Sequence, residues 1–248
     1  MKRFLMTSTV LASLAVLSIG TGNAAPMYVG LQNGNGAISA PVPLTSLPGG
    51  GYSFALQQIG GSGIWASGTI EGTPPLAEPD MISATTDVSG SQDPAGGTIS
   101  IYVTETNQFP TLFDSFYTEF ASTIPLLVNG HPNSVLSVTE SVYVHDCGTS
   151  PCDPATDLFK TDLLIASAMF TSTGDTDALV QKMSGLTAPY AMTEVYTLTF
   201  GPGSEASYGS ASNSISVDAP EPASLALLGM SLVGLGAIRR RRSDIIPR

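Results

Sequence analysis

The sequence predicts an all-β protein whose body is an antiparallel β-sandwich or jelly roll. Two observations carry that expectation. From Tyr52 onward the chain is a succession of short runs rich in Val, Ile, Thr and aromatic residues, each bounded by Gly, Pro, Asn, Asp or Ser. Few helix-length patterns lie between those runs, as a parallel α/β sheet would require.

Residues 1–24 read as an N-terminal signal helix. Lys2 and Arg3 form a basic start, Phe4 to Ile19 an apolar run, and Gly20 to Ala25 a small-residue segment. Cleavage after Ala24 places Gly22 three residues before the cut and keeps Pro26 out of the first mature position. Signal peptidase is the expected partner, and the compartment beyond is oxidising.

Residues 25–51 hold Gly34, Gly36, Pro41, Pro43, Pro48 and the run Gly49-Gly50-Gly51. They read as a Gly/Pro-rich linker with one short edge strand near Ala37 to Pro41. The body follows over 52–217. Its strand candidates are Tyr52 to Gln58, Ile64 to Ile70, Met81 to Val88, Thr98 to Glu105, Val135 to His145, Leu158 to Thr171, Tyr190 to Phe200 and Tyr208 to Val217. Phe109, Leu112, Phe113, Phe116, Tyr117 and Phe120 recur at helical spacing, yet aromatics also favour strands, so 109–124 is open between the two. Asp177 to Met183 reads as a short helix, capped by Asp175 or Thr176 and stopped at Gly185.

An apolar-Thr-Glu unit recurs as Val103-Thr104-Glu105, Val138-Thr139-Glu140 and Met192-Thr193-Glu194. In a strand each glutamate shares a face with the apolar residue two positions earlier. A carboxylate on an apolar face needs a partner or a proton. Glu105, Glu140 and Glu194 are expected near a sheet rim or facing solvent. The sharper alternative has them converge as oxygen ligands for Ca²⁺.

The two cysteines, Cys147 and Cys152, enclose Gly148-Thr149-Ser150-Pro151 and are expected to close a small structural disulfide loop, contributing about 2 kcal/mol. Redox or zinc chemistry would call for different spacing or more ligands. Asp146, Asp153 and Asp157 flank the loop, and Asp175 and Asp177 follow. None falls in a twelve-residue EF-hand pattern, so they read as turn and cap residues.

Lys160 and Lys182 are the only cations between residues 25 and 219, against eighteen carboxylates, a formal charge of −16. Such a body repels nucleic acid and anionic head groups. Catalytic patterns are sparse. His131 lies in the turn-like Asn129-Gly130-His131-Pro132-Asn133, and His145 abuts the cysteine loop. No nucleophile elbow, phosphate loop or His-Glu-x-x-His helix occurs. A carboxylate pair for glycoside hydrolysis remains an alternative, as does a sugar platform: Tyr52 and Phe54 alternate as core residues, which leaves Trp65 as the aromatic candidate for exposure.

The last segment, 218–248, begins Asp218-Ala219-Pro220-Glu221-Pro222. An apolar run from Ala223 to Ile238 follows, then Arg239-Arg240-Arg241-Arg242. Sixteen residues in a helix span roughly 24 Å, slightly short of a bilayer core, and arginine side chains can snorkel to make up the difference. Four arginines place that end in the cytoplasm and everything before Pro220 outside. The Pro-Glu-Pro tripeptide, hydrophobic span and basic cluster resemble the bacterial PEP-CTERM protein-sorting signal. Stretches such as Gly97 to Thr106 and Thr193 to Tyr196 are also similar to the β-rich bodies of PEP-CTERM proteins.

The resemblance implies processing by an exosortase, transient membrane attachment through the C-terminal helix, and secretion to the outer surface of a Gram-negative bacterium. It further implies association with exopolysaccharide and biofilm. The expectation is therefore a surface or matrix component without enzymatic activity or obligatory cofactor. A secreted carbohydrate-active hydrolase and a calcium- or sugar-binding module are the alternatives.

Overall fold

The computed structural model describes residues 27–46, 52–59, 64–71, 82–91, 96–108, 115–171, 175–182, 189–202, 208–218 and 230–231. Among the described residues, fifteen strands run in the order β1 (Met27–Asn33), β2 (Val42–Pro43), β3 (Thr45–Ser46), β4 (Tyr52–Ile59), β5 (Ile64–Glu71), β6 (Ile82–Ser91), β7 (Gly97–Gln108), β8 (Ser115–Thr123), β9 (Leu127–Val128), β10 (His131–Pro132), β11 (Val135–Asp146), β12 (Leu163–Phe170), β13 (Asp175–Lys182), β14 (Tyr190–Phe200) and β15 (Tyr208–Asp218).

They form two large antiparallel sheets. One is ordered β12-β11-β14-β7-β1-β2, the other β13-β8-β15-β6-β5-β4-β3, and β9 and β10 make a separate hairpin. The sheets face each other, with β11 and β14 against β15, and β1 against β4. The body is the antiparallel sandwich that the sequence predicts.

Alternation explains the core. In β14, Met192, Glu194, Tyr196 and Leu198 point inward; Val103 of β7 and Val142 of β11 lie directly opposite Glu194 on its two sides. Tyr52, Ala66, Phe120 and Ala211 meet them from the second sheet. The long apolar-alternating strands β7, β11 and β14 are adjacent because each can cover one side of its neighbour while burying a whole face.

Several expectations are corrected. The segment read as a linker contains β1, which pairs with β7 over seven positions and buries Met27, Val29 and Leu31. Gly34 and Gly36 serve the turn after β1 instead, and Ala37 to Pro41 is not a strand. Asp177 to Met183 is not a helix: its described residues lie in β13, which pairs with β8 at eight consecutive positions. So short a helix would gain little on its own, whereas a sheet edge satisfies its backbone. Within 109–124 the described part is strand β8.

The strand expected at Leu158 starts only at Leu163, because Phe159 takes φ = 58°, outside extended geometry. At the bulge between Val135 and Ser137, Leu136 turns outward and is 56% exposed. Asn129 and Gly130, at φ = 51° and 83°, form the two-residue turn of the β9–β10 hairpin, with His131 exposed in β10.

The signal helix with Ala24, and the tripeptide Pro220-Glu221-Pro222 with Arg239 to Arg242, lie outside the described residues; within the expected sorting helix Met230 and Ser231 are helical. No helix among the described residues is long and apolar enough to cross a membrane.

Candidate functional site

The three repeated glutamates do not lie at the rim. Glu105, Glu140 and Glu194 are fully buried on the inner face of the six-stranded sheet. Register places them on a diagonal, since Glu105 opposes Met192, Glu194 opposes both Val103 and Val142, and Glu140 opposes Tyr196. Diagonal neighbours stand roughly 7–8 Å apart.

Burial pushes the Glu140 carboxyl up to about 9. The Ala121 backbone N–H from β8 opposes that rise without reaching full hydrogen-bond geometry, and among the described residues neither Glu140 oxygen meets another partner. Burial also raises Glu194 well above the usual carboxylate range; the Tyr196 hydroxyl, donating to Oε2 at 3.3 Å, works against it, and the charges of Glu140 and Glu105 add to it. Glu105 in turn contributes to the raised phenol of Tyr52, whose main cause is burial. Burial thus favours the protonated form of both Glu140 and Glu194.

The three glutamates do not bring one oxygen each within 4.8 Å of one another, as ligands around a single ion would. Among the described residues the group that does is His145, Cys147 and Asp157. There the sulfur is already spent in the Cys147–Cys152 disulfide, so no thiolate is offered.

The opposite, outer face of the same sheet has a different chemistry. β11 presents Ser137, Thr139, Ser141 and Tyr143; β14 presents Thr193, Val195, Thr197 and Thr199; β7 presents Thr98, Ser100, Tyr102 and Thr104. None of these is a carboxylate or an amine. Hydroxyls pair across strands: Ser100 with Thr197 at 3.0 Å, Thr104 with Thr193 at 2.8 Å and Ser141 with Ser167 at 2.7 Å. The Tyr102 hydroxyl donates to Gln32 Oε1 at 2.6 Å. Burial holds the Tyr102 phenol above its usual range; a Ser100 hydrogen bond opposes this and nearby Tyr143 adds to it.

The disulfide loop between β11 and β12 folds over one end of that face. The Cys152 N–H donates to Asn107 Oδ1 at 2.8 Å, and the Phe159 N–H donates to Thr104 Oγ1 at 3.2 Å. The Phe159 ring packs against Tyr102, centroids 5.9 Å apart, over Gly30. His145, beyond Tyr143 on the same face, faces Asp162 through Nδ1 at 2.5 Å and Asp157 through Nε2 at 3.5 Å. The loop acids act as turn residues: Asp146 accepts from the Gly148 N–H, Asp153 from Ala155 and Asp157 from Asp153. That last bond is the main reason the Asp157 carboxyl lies below its ordinary value.

The sequence therefore pointed to the glutamates and the cysteine loop but missed the outer face. Its signal was present as Ser or Thr at nine of those twelve alternating positions. Asp162, the nearer partner of His145, was also missed, because it lies seventeen residues away along the chain. Trp65 is in β5 opposite Ser89 and Gln58.

Residues 218–242 match the model of the PEP-CTERM protein-sorting motif. The match begins at Asp218, the last residue of β15, so the motif starts where the sandwich ends. It marks an exported, cell-surface protein processed by an exosortase. No curated protein matches the chain.

Among solved structures, similar chains include TmCBM61 in complex with β-1,4-galactotriose, at 10% identity and a TM-score of 0.29, covering 63% of this chain and 88% of that one. A structure of carbohydrate-binding modules from the β-sandwich superfamily gives 8% and 0.31, covering 77% and 84%. The arabinose-bound MgGH51 α-L-arabinofuranosidase gives 10% and 0.30, covering 61% of this chain and 22% of that one.

Proposed function

We propose that this exported chain, carrying a PEP-CTERM sorting motif, is a non-enzymatic component of the exopolysaccharide or biofilm matrix at the outer surface of a Gram-negative bacterium. The observation that carries the reading is the junction at Asp218. β15 lies between β8 and β6 inside its sheet and ends at the residue where the sorting motif begins. A cut near Pro220 would therefore release a complete sandwich.

The buried glutamates support a structural role over hydrolysis, because Glu105, Glu140 and Glu194 are closed to a polymer substrate. The acidic body favours a neutral or cationic matrix over anionic lipid.

Intact mass and fractionation of the native protein beside a Glu221→Ala variant test the reading. The wild type should be external and truncated near Pro220, with the variant full length and membrane-bound. Full-length, membrane-bound protein in both would overturn it.

A further inference from the structure

We propose that the exported protein forms a two-fold dimer through the free edge of β12, which pairs antiparallel with β12 of a second copy about Ala168 and joins the two six-stranded sheets into one. The inference goes beyond the matrix reading above and does not rest on it.

The sheet edges in this fold are not alike. β2 and β3, which end the two sheets on one side, are two residues long, and β2 finishes at Pro43. Edges so short offer almost no ladder to another chain. On the other side the second sheet ends in β13, which contains Asp175, Asp177 and Lys182. The remaining edge, β12, reads Leu163-Leu164-Ile165-Ala166-Ser167-Ala168-Met169-Phe170, eight residues without a charge, a proline or a glycine. A body with eighteen carboxylates against two lysines thus keeps one long edge uncharged. Alternate residues of an edge strand direct N–H and C=O away from their sheet, so β12 holds ladder positions that no strand among the described residues fills.

Exposure follows the same line. Leu163 and Leu164 are each 50% exposed and Met169 67%, all on this one strand. Ala166, Ala168 and Phe170 are buried in the core, which fixes the face of β12 that looks inward. A pairing strand has to match that facing, and a second copy does so by symmetry.

Register picks the axis. The ladder with β11 is irregular at Ile165, which leaves Ala166 to Phe170 as the regular stretch, centred on Ala168. A two-fold axis there sets Ala166 opposite Phe170 of the second copy and Ser167 opposite its Met169, small against large at each place. Inner residues then meet inner ones, and outer residues outer ones.

Charge agrees with a second copy in that orientation. Asp162 precedes Ala168 by six residues, with Asp157 on the same loop. Antiparallel pairing about Ala168 carries the two Asp162 residues roughly 40 Å apart, well beyond a screening length of about 8 Å. Parallel pairing would set the two acidic loops side by side.

The test is gel filtration with light scattering of the native exported protein over a range of concentrations. The wild type should show twice the monomer mass and dissociate on dilution, and added salt should tighten the dimer by screening the two acidic bodies. Met169→Lys, at a position already exposed, should keep the melting curve and weaken dimerisation by about tenfold or more. Copper-phenanthroline oxidation should link a mixture of Ser167→Cys and Met169→Cys proteins more than either alone, because only the opposed pair stands within disulfide reach.

A monomer at every concentration overturns the proposal. So does a mass that grows past two copies, the mark of a contact that does not close. A dimer that survives in folded Met169→Lys overturns it as well. Should Met169→Lys fail to fold, the cysteine mixture decides: equal linking in the mixture and in the single variants would overturn the register, and the interface with it.

Discussion

The Tyr196 hydroxyl donates to Glu194 Oε2 at 3.3 Å, while Tyr196 itself sits directly opposite Glu140 on the neighbouring strand. One tyrosine thus separates two carboxyls that burial pushes toward the protonated form. Neutral carboxylic acids are tolerable in a core, whereas carboxylates without compensating partners are not.

A pH dependence follows. Glu140 titrates near 4.5 when unfolded and at about 9 when folded, and Glu194 is raised in the same direction. The folded state binds more protons between those values, so stability is full below the unfolded value and is lost as pH rises through about 9. Thermal melting from pH 5 to pH 10 should show a falling Tm. Glu140→Gln, neutral at every pH, should flatten the profile and raise Tm at pH 8; an unchanged slope would mean that Glu140 is ionised in the fold.

How much of this was legible follows from what strand sequences encode. Alternation located β4, β5, β7, β11, β14 and β15 to within a few residues and put each glutamate on one face with the apolar residue two before it, but the expected rim or solvent position was wrong for all three. Alternation cannot say which sheet will cover a stripe, and so Glu140 looked like a rim residue until β8 was placed across from it. β1 was hidden by the glycines and prolines around it, although Met27, Val29 and Leu31 do alternate. Asp175 and Thr176 resemble a helix cap locally, but the register with Ala121 and Ser122 of β8 makes them strand. Pairing partners, which decide both cases, are non-local.

Opposite behaviour is expected at the acid end. Asp157 is held below its ordinary value first by the Asp153 N–H, with Thr156 and His145 also helping. That contribution is present above the unfolded carboxylate value and lost as pH falls through the lower folded one. Asp157→Asn should therefore change loop protection in hydrogen exchange at pH 6 but have a shrinking effect toward pH 3. Equal effects at both pH values would assign the role of Asp157 to packing.

Reduction of Cys147–Cys152 should lower stability to urea by about 2 kcal/mol, the loop-closure value for so short a ring. The sheet itself should persist, because β11 and β12 are joined by their own ladder from Val138 to Val144. Urea titrations of oxidised protein and the Cys147→Ser/Cys152→Ser double variant, followed by far-ultraviolet circular dichroism, check this. Loss of the β signal without urea would show that the loop is needed for the sandwich to form.

Gly30 and Phe159 should prove strongly coupled. A Cβ at Gly30 would lie 2.7 Å from the Phe159 ring and 2.8 Å from Ile38, closer than carbon atoms approach without movement. Phe159 cannot simply retreat, since its N–H is bonded to Thr104 and its ring rests on Tyr102. Gly30→Ala should cost roughly 1–3 kcal/mol as overpacking. Phe159→Ala should be destabilising alone, through lost ring contact, yet the double variant should be less unstable than the two costs added, because removing the ring frees the space that the methyl needs. Additive costs in that cycle would mean that Ile38, not the ring, is what excludes a side chain at position 30.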